Sequence, residues 1–188
     1  MPNVSLCAQE NEVHYNPYVV PPFFCKLTLQ GDSVIELEGS GELTQAMVSS
    51  QYKNNLVSAE IGKLCTSIGA RAFNECSSLT SVTIPDSVTS IYNGAFMSCT
   101  SLTSVIIPDS VTFIGDVVFY GCMELESVKV ESETPPQLDG SWVFNYYENQ
   151  FQSPILPKLT IYVPSESVEA YKTAHYWRDY ASQIQAIQ

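Results

Sequence analysis

The chain repeats itself every 23 residues, and this constrains its fold more than any other feature. The run Leu79-Thr80-Ser81-Val82-Thr83-Ile84-Pro85-Asp86-Ser87-Val88-Thr89-Ser90-Ile91 returns as Leu102-Thr103-Ser104-Val105-Ile106-Ile107-Pro108-Asp109-Ser110-Val111-Thr112-Phe113-Ile114. Between segments 79–101 and 102–124, 13 of 23 positions are identical. The frame extends back over 56–78 through Leu56, Ile61, Ile68, Phe73 and Cys76, and forward to Leu125, Val128 and Val130. After an insertion, Ile161, Val163, Pro164 and Val168 echo Val82, Ile84, Pro85 and Val88. An apolar skeleton on a fixed period means that no unit buries its face alone. Stacked neighbours share one continuous core.

Each unit reads as a short strand with inward residues at positions 4 and 6. A proline at position 7 ends it, because proline cannot donate to a ladder. Asp86 and Asp109 follow as turn residues. Positions 10 and 13 return to the core, and Phe73, Phe96 and Phe119 fill its far side. In-phase strands of this kind pair in parallel. The expected fold is a mostly β solenoid, a right-handed superhelix of 23-residue repeats.

Residues 56–130 resemble the BspA-like leucine-rich repeat family. The carrying motif is Leu-x-x-Val-x-Ile-Pro-Asp-Ser-Val-Thr-x-Ile, then Ala-Phe-x-x-Cys, as it stands at Leu79–Cys99. The C-terminal part resembles that family's end module through Glu133-Thr134-Pro135-Pro136, Ile161-Tyr162-Val163-Pro164-Ser165 and Trp177-Arg178-Asp179-Tyr180. Two departures stand out. The Ala-Phe pair becomes Val118-Phe119 in the third unit, and in the fourth it blurs into Trp142-Val143-Phe144, with one extra residue expected. The resemblance implies an interaction module, often on bacterial surfaces, without enzymatic chemistry of its own.

An open stack of repeats needs covered ends. At the N-terminal end, 23–29 and 34–38 flank the turn Gln30-Gly31-Asp32-Ser33 and predict a hairpin, with a short helix near 43–50. At the other end, Ser165 is expected to cap a helix carrying Glu166 and Glu169 early and Lys172 late. Val168, Tyr171 and His175 would form its apolar side, and 184–187 a last strand. The organisation read from the sequence is a proline-marked arm over 1–22, an N-terminal cap over 23–55 and repeats over 56–144. An aromatic insertion loop over 145–158 and a strand–helix cap over 159–188 follow. Residues 23–188 form one continuous domain.

Twenty acidic residues stand against eight Lys and Arg, a formal charge of −12. This excludes the basic footprint of a nucleic-acid binder and a polybasic membrane surface. No apolar run approaches the ~20 residues of a membrane-spanning helix, so membrane insertion is not expected. The first residues lack the basic and apolar regions of a signal peptide.

Little in the chain points to catalysis. Cys76, Cys99 and Cys122 recur at the repeat period, which predicts a column of buried free thiols rather than a metal site or disulfides. Cys65 falls in phase with Val88 and Val111 and reads as core, while the pairing of Cys7 with Cys25 stays open. The two histidines, His14 and His175, lie outside the repeats, away from any nucleophile they would serve. The carboxylate pairs Glu36/Glu38 and Glu124/Glu126 read as solvated strand faces rather than acid–base pairs. No cofactor is expected.

Surface remains. Strand position 3 is uniformly small and hydroxylic: Ser58, Ser81, Ser104, Ser127 and, by echo, Thr160. Position 5 varies: Glu60, Thr83, Ile106, Lys129 and Tyr162. β-Propensity and solubility account for such columns, yet a flat solenoid face is also a common binding surface, with the variable column discriminating. A second candidate is the aromatic run Trp142, Phe144, Tyr146, Tyr147 and Phe151. Phe144 with either Trp142 or Val143 would fill core, and the other rings would either pack under the loop or form an exposed patch for contact, with Tyr146 and Tyr147 as its candidates. The expected function is non-enzymatic binding or adhesion, at the cell surface or secreted, toward protein or glycan on host or neighbouring cells. The expected state is a monomer, with the end strands and the 1–22 arm leaving room for a dimer. A spacer module of a larger surface protein, or a cytoplasmic scaffold, are the alternatives.

Overall fold

The computed structural model describes residues 24–48, 50–148 and 154–188. The expected 1–22 arm, with Cys7 and His14, lies outside them. The strands are β1 (Cys25–Leu29), β2 (Val34–Leu37), β3 (Gly41–Leu43), β4 (Leu56–Ile61), β5 (Cys65–Ile68), β6 (Ser81–Thr83), β7 (Ser90–Ile91), β8 (Ser104–Ile107), β9 (Phe113–Ile114), β10 (Ser127–Val130), β11 (Gln137–Leu138), β12 (Thr160–Val163) and β13 (Ile184–Ala186). Among the described residues there is one α-helix, α1, at Val168–Thr173.

Each unit contributes a strand to one side of the stack and a shorter strand to another. The first strands form two sheets, ordered β2-β1-β4-β6 and β13-β12-β10-β8. The second strands form one sheet, β11-β9-β7-β5-β3. Every pairing between repeat strands is parallel, and in the central units the register partners are one period apart: Val128 with Val105, and Ile91 with Ile114. Strands β6 and β8 do not pair, so the expected single column is split in two. Continuity across that junction comes from β7–β9 and from the turns, where the Phe96 amide donates to the Val118 carbonyl at 3.0 Å.

The inward positions are core, as the period requires. Leu56, Leu79, Leu102 and Leu125 are buried, as are Ile68, Ile91, Ile114 and Leu138. Phe73, Phe96, Phe119 and Phe144 stack face to face with centroids 5.2, 5.5 and 5.5 Å apart and rings within 3° of parallel. This Phe column shows that the fourth unit carries two extra residues, not the one expected. Phe119 to Phe144 is 25 positions, with Val143-Phe144 taking the Ala-Phe place. One extra residue precedes Leu138, the register partner of Ile114, and the other lies between Leu138 and Phe144. Neither falls in a paired strand, so the stack absorbs both.

Neighbouring units are also tied by side chains. The Thr80, Thr89 and Thr112 hydroxyls donate to the carbonyls of Val57, Thr66 and Thr89, one period back. An Asp116 carboxylate oxygen accepts from the Val117 amide at 2.9 Å and from Trp142 of the next unit at 3.3 Å. Gly140 fits over that carboxyl only because it lacks a side chain: a Cβ there would lie 2.3 Å from the Asp116 carboxyl carbon.

At the N-terminal end, the β1–β2 hairpin forms where the turn chemistry placed it, and β1 pairs antiparallel with β4. No helix forms among the described residues of 43–50. Glu42 and Leu43 instead register with Ser67 and Ile68, so β3 joins the repeat sheet. Burial of Leu43 in that sheet outweighs the weak local helix preference, and a 3-10 turn over Ser50–Tyr52 follows.

At the C-terminal end, Ser165 does not cap α1. A 3-10 turn over Ser165–Ser167 intervenes, and the Ser165 hydroxyl bonds Glu166. His175 is not on the helix either. Helix α1 ends at Thr173, Tyr176 turns the chain with φ of 61°, and His175 is exposed against the Tyr176 ring. Trp177 and Tyr180 are buried in its stead. They meet ladder groups that a further repeat would otherwise take. The Thr112 carbonyl accepts from Gln137 of the next unit; its counterpart on Pro136 accepts the Trp177 indole N–H at 2.7 Å. The Phe119 amide donates to the Val143 carbonyl; that of Phe144 donates to the Tyr180 hydroxyl. The phenylalanine column ends on the same two rings, Tyr180 edge-on to Phe144 at 5.2 Å and Trp177 tilted at 6.2 Å.

Candidate functional site

Strand register organises the outward face. A residue pointing into the core is followed by one pointing out, so positions 3 and 5 of each first strand share the outer surface. On β10 and β12 the register sets Ser127 beside Ser104 and Thr160, and Lys129 beside Ile106 and Tyr162. Gln185 of β13 extends that second row. Ile106 is 52% exposed, an apolar side chain held in solvent beside Lys129 at the edge of its sheet. The Lys129 ammonium pairs with Glu131 at 2.8 Å.

The other two position-5 residues, Glu60 and Thr83, sit on the sheet containing the hairpin. There the outward residues form two rows across four strands. One row reads Glu36, Lys26, Glu60 and Thr83; the other reads Val34, Thr28, Ser58 and Ser81. These eight line a concavity of about 410 Å³. Lys26 pairs with Glu36 at 3.6 Å. The five position-5 residues therefore divide into a pair and a triplet, separated by the unpaired β6/β8 junction.

The aromatic insertion resolves residue by residue. Val143 and Phe144 are core, and Trp142 is 53% exposed. An antiparallel bridge between Asn145 and Ile155 closes the base of the loop, and the Tyr146 amide donates to the Pro154 carbonyl. Tyr146 is half-buried and packs against the core, whereas Tyr147 is 67% exposed. Residues 149–153, with Phe151, lie outside the described residues. The signal that separates Trp142 from Val143 is the Ala-Phe frame itself, in which the residue before Phe is small and inward.

The cysteines among the described residues are thiols of the core. Cys25, Cys65, Cys76, Cys99 and Cys122 are free and buried. The Cys99 and Cys122 thiols donate to the Phe73 and Phe96 carbonyls of the preceding unit, at 3.2 and 3.1 Å. Burial pushes the Cys122 thiol up to about 12 and Cys76 to about 11, and holds Cys99 well above its ordinary value. Such thiols are not nucleophiles at neutral pH. His175 lies beside a groove of about 470 Å³ between α1's end and residues 135–139. Glu124 is ion-paired with Lys158, and Glu36 with Lys26.

The period, the inward leucine and isoleucine columns and the Phe stack are matched at residues 48–169 by the model of the BspA-type leucine-rich repeat region, in six copies. The chain belongs to the BspA-type leucine-rich repeat family. The family match runs beyond 56–130 at both ends, taking in the start of α1. Solved structures similar to this member are leucine-rich repeat proteins and a bacterial antigen. A leucine-rich repeat protein from Eubacterium ventriosum is 18% identical with a TM-score of 0.43, over 76% of this chain and 34% of that one. The pneumococcal vaccine antigen PcpA is 14% identical with a TM-score of 0.43, over 86% of this chain and 46% of that one. A leucine-rich repeat protein from Bacteroides ovatus is 20% identical with a TM-score of 0.28, over 62% and 50%. The chain thus spans half or less of the length of each. No curated protein matches it.

Proposed function

We propose that this BspA-type repeat protein is a binding module without catalytic chemistry of its own, displayed at the cell surface or secreted. Its ligand is a protein or a glycan on host or neighbouring cells. The repeat stack acts as a rigid scaffold, with the hairpin and the Trp177–Tyr180 segment as its caps. The outward strand rows and the aromatic loop meet the ligand.

The observation that carries this reading is the contrast along one face. Position 3 stays small and hydroxylic while position 5 changes chemistry from unit to unit, leaving Ile106 in solvent. A buried position is held by packing, but an outward one is not, so apolar and aromatic groups there are available for contact. Trp142 and Tyr147 add broad contact area at little entropic cost.

Two measurements test the reading. Protease applied to intact cells of the source organism should remove the chain, followed by antibody; survival until lysis would overturn the surface assignment. The purified chain should bind at least one member of a glycan array or an immobilised extracellular-matrix panel. Trp142→Ala with Tyr147→Ala should weaken that binding at unchanged melting temperature. Tyr146 is left intact in this test because it packs against the core.

A further inference from the structure

The concavity over the hairpin sheet carries a more specific reading, which rests on the binding function above and names a partner for one part of it. We propose that this trough docks a basic, extended segment of a partner protein. Its charged row places Lys26 between two carboxylates, with Glu36 and Glu60 as its cross-strand neighbours on either side. Strands lie about 4.8 Å apart, so the two carboxylate-bearing positions are roughly 10 Å apart across β1. That is a span bridged by two basic side chains on one face of an extended segment.

Charge decides the sign of the ligand. The row holds two carboxylates and one ammonium, and it sits on a chain of formal charge −12. Glu60 is exposed and makes no ion pair among the described residues. A field of this sign steers cations toward the surface and repels anionic ligands. The second row supplies hydroxyls on Thr28, Ser58 and Ser81, acceptors for ammonium or guanidinium protons. Val34, 56% exposed at the row's end, offers apolar surface to the methylene stems of lysine or arginine. Among the described residues no aromatic ring lines the trough for a sugar to stack on, so a basic peptide fits better than a neutral glycan.

The test uses the full chain and a short fluorescent lysine–serine peptide, with its lysine-acetylated form and a neutral oligosaccharide as comparisons. The unmodified peptide should bind, and more weakly as salt rises. Glu36→Gln with Glu60→Gln should weaken binding about tenfold, at the few-fold per pair typical of exposed charges. Lys26→Gln should tighten it, since it removes the competing cation. Glu166→Gln with Glu169→Gln changes the net charge equally at the other end of the molecule and should leave binding unchanged. Equal weakening by the two double variants would reduce the effect to net charge and overturn the site. Equal binding of the acetylated peptide, or oligosaccharide binding that ignores both glutamates, would overturn the basic-segment assignment. If the peptide fails to bind while the panel ligand still depends on Trp142 and Tyr147, this inference falls and the binding function stands. If neither binds, both fall.

Discussion

Val117 is held in the left-handed region with φ of 51°, where a β-branched side chain crowds its own backbone. The same place is Arg71 at 57° in one preceding unit and Gly94 at 65° in the other, so the repeat geometry imposes the conformation. Left-handed backbone costs about 1–2 kcal/mol for a residue with a Cβ, while glycine returns about 0.5–1 kcal/mol of that through chain entropy. Val117→Gly should therefore raise the melting temperature by about 2 °C; a fall would show that Val117 packing outweighs the strain. The thiol column makes a second residue-scale claim. Folded Cys122 titrates near 12 because burial disfavours its thiolate, against an ordinary value of 9.0. A raised folded pKa gives stability that is complete below pH 9 and drains away as pH climbs toward 12. Each such thiol subtracts about 1.4 kcal/mol per pH unit in that window. Urea titrations should show stability flat from pH 7 to 8.5 and falling above 9. Cys122→Ala should flatten that fall. The periodic spacing alone makes these cysteines legible as core.

At the scale of elements, the strands are legible because position and burial agree in every unit. The ends are not, because they obey contacts rather than local preference. The stretch 43–50 has helix-compatible residues, yet Leu43 is claimed by the register with Ile68. His175 has the right spacing for a helix face, but the chain turns at Tyr176 so that Trp177 and Tyr180 can reach the open ladder. Sequence spacing carries no information about which carbonyl lacks a partner. Tyr180→Phe tests that role directly, since it keeps the ring against Phe144. It removes the hydroxyl that meets the Ser141 carbonyl at 2.6 Å, Asn145 Oδ1 at 2.9 Å and the Phe144 amide. Losing those hydrogen bonds should cost about 1–3 kcal/mol by urea denaturation. A neutral result would mean that water or a rearranged turn satisfies the freed groups. In the middle of the stack, Phe119→Ala removes a ring sandwiched between Phe96 and Phe144 and should cost about 3–5 kcal/mol.

Over the whole molecule, the proposed binding face and the packed core occupy opposite sides of the same strands. Inward residues repeat because each must fit the unit before it, and this made the architecture readable from one sequence. Outward residues face no such demand, so their chemistry is free to vary, and the period is silent about their partners. It did assemble the outer columns correctly, bringing Ile106, Lys129 and Tyr162 together and Glu60 beside Thr83. It did not reveal the unpaired β6/β8 junction that divides them, nor the rows that the hairpin adds to Glu60 and Thr83. Both depend on how the sheets meet rather than on any residue pattern. The most direct test is a paired measurement of melting temperature and of binding to the panel ligand. It compares an outward variant, Ile106→Ser with Trp142→Ala and Tyr147→Ala, against an inward one, Val105→Ala. The outward variant should lose binding and melt as the wild type does, while the inward one should melt lower and, below its transition, still bind. Full binding by the outward variant, or its unfolding alongside the inward one, would contradict a face built for recognition.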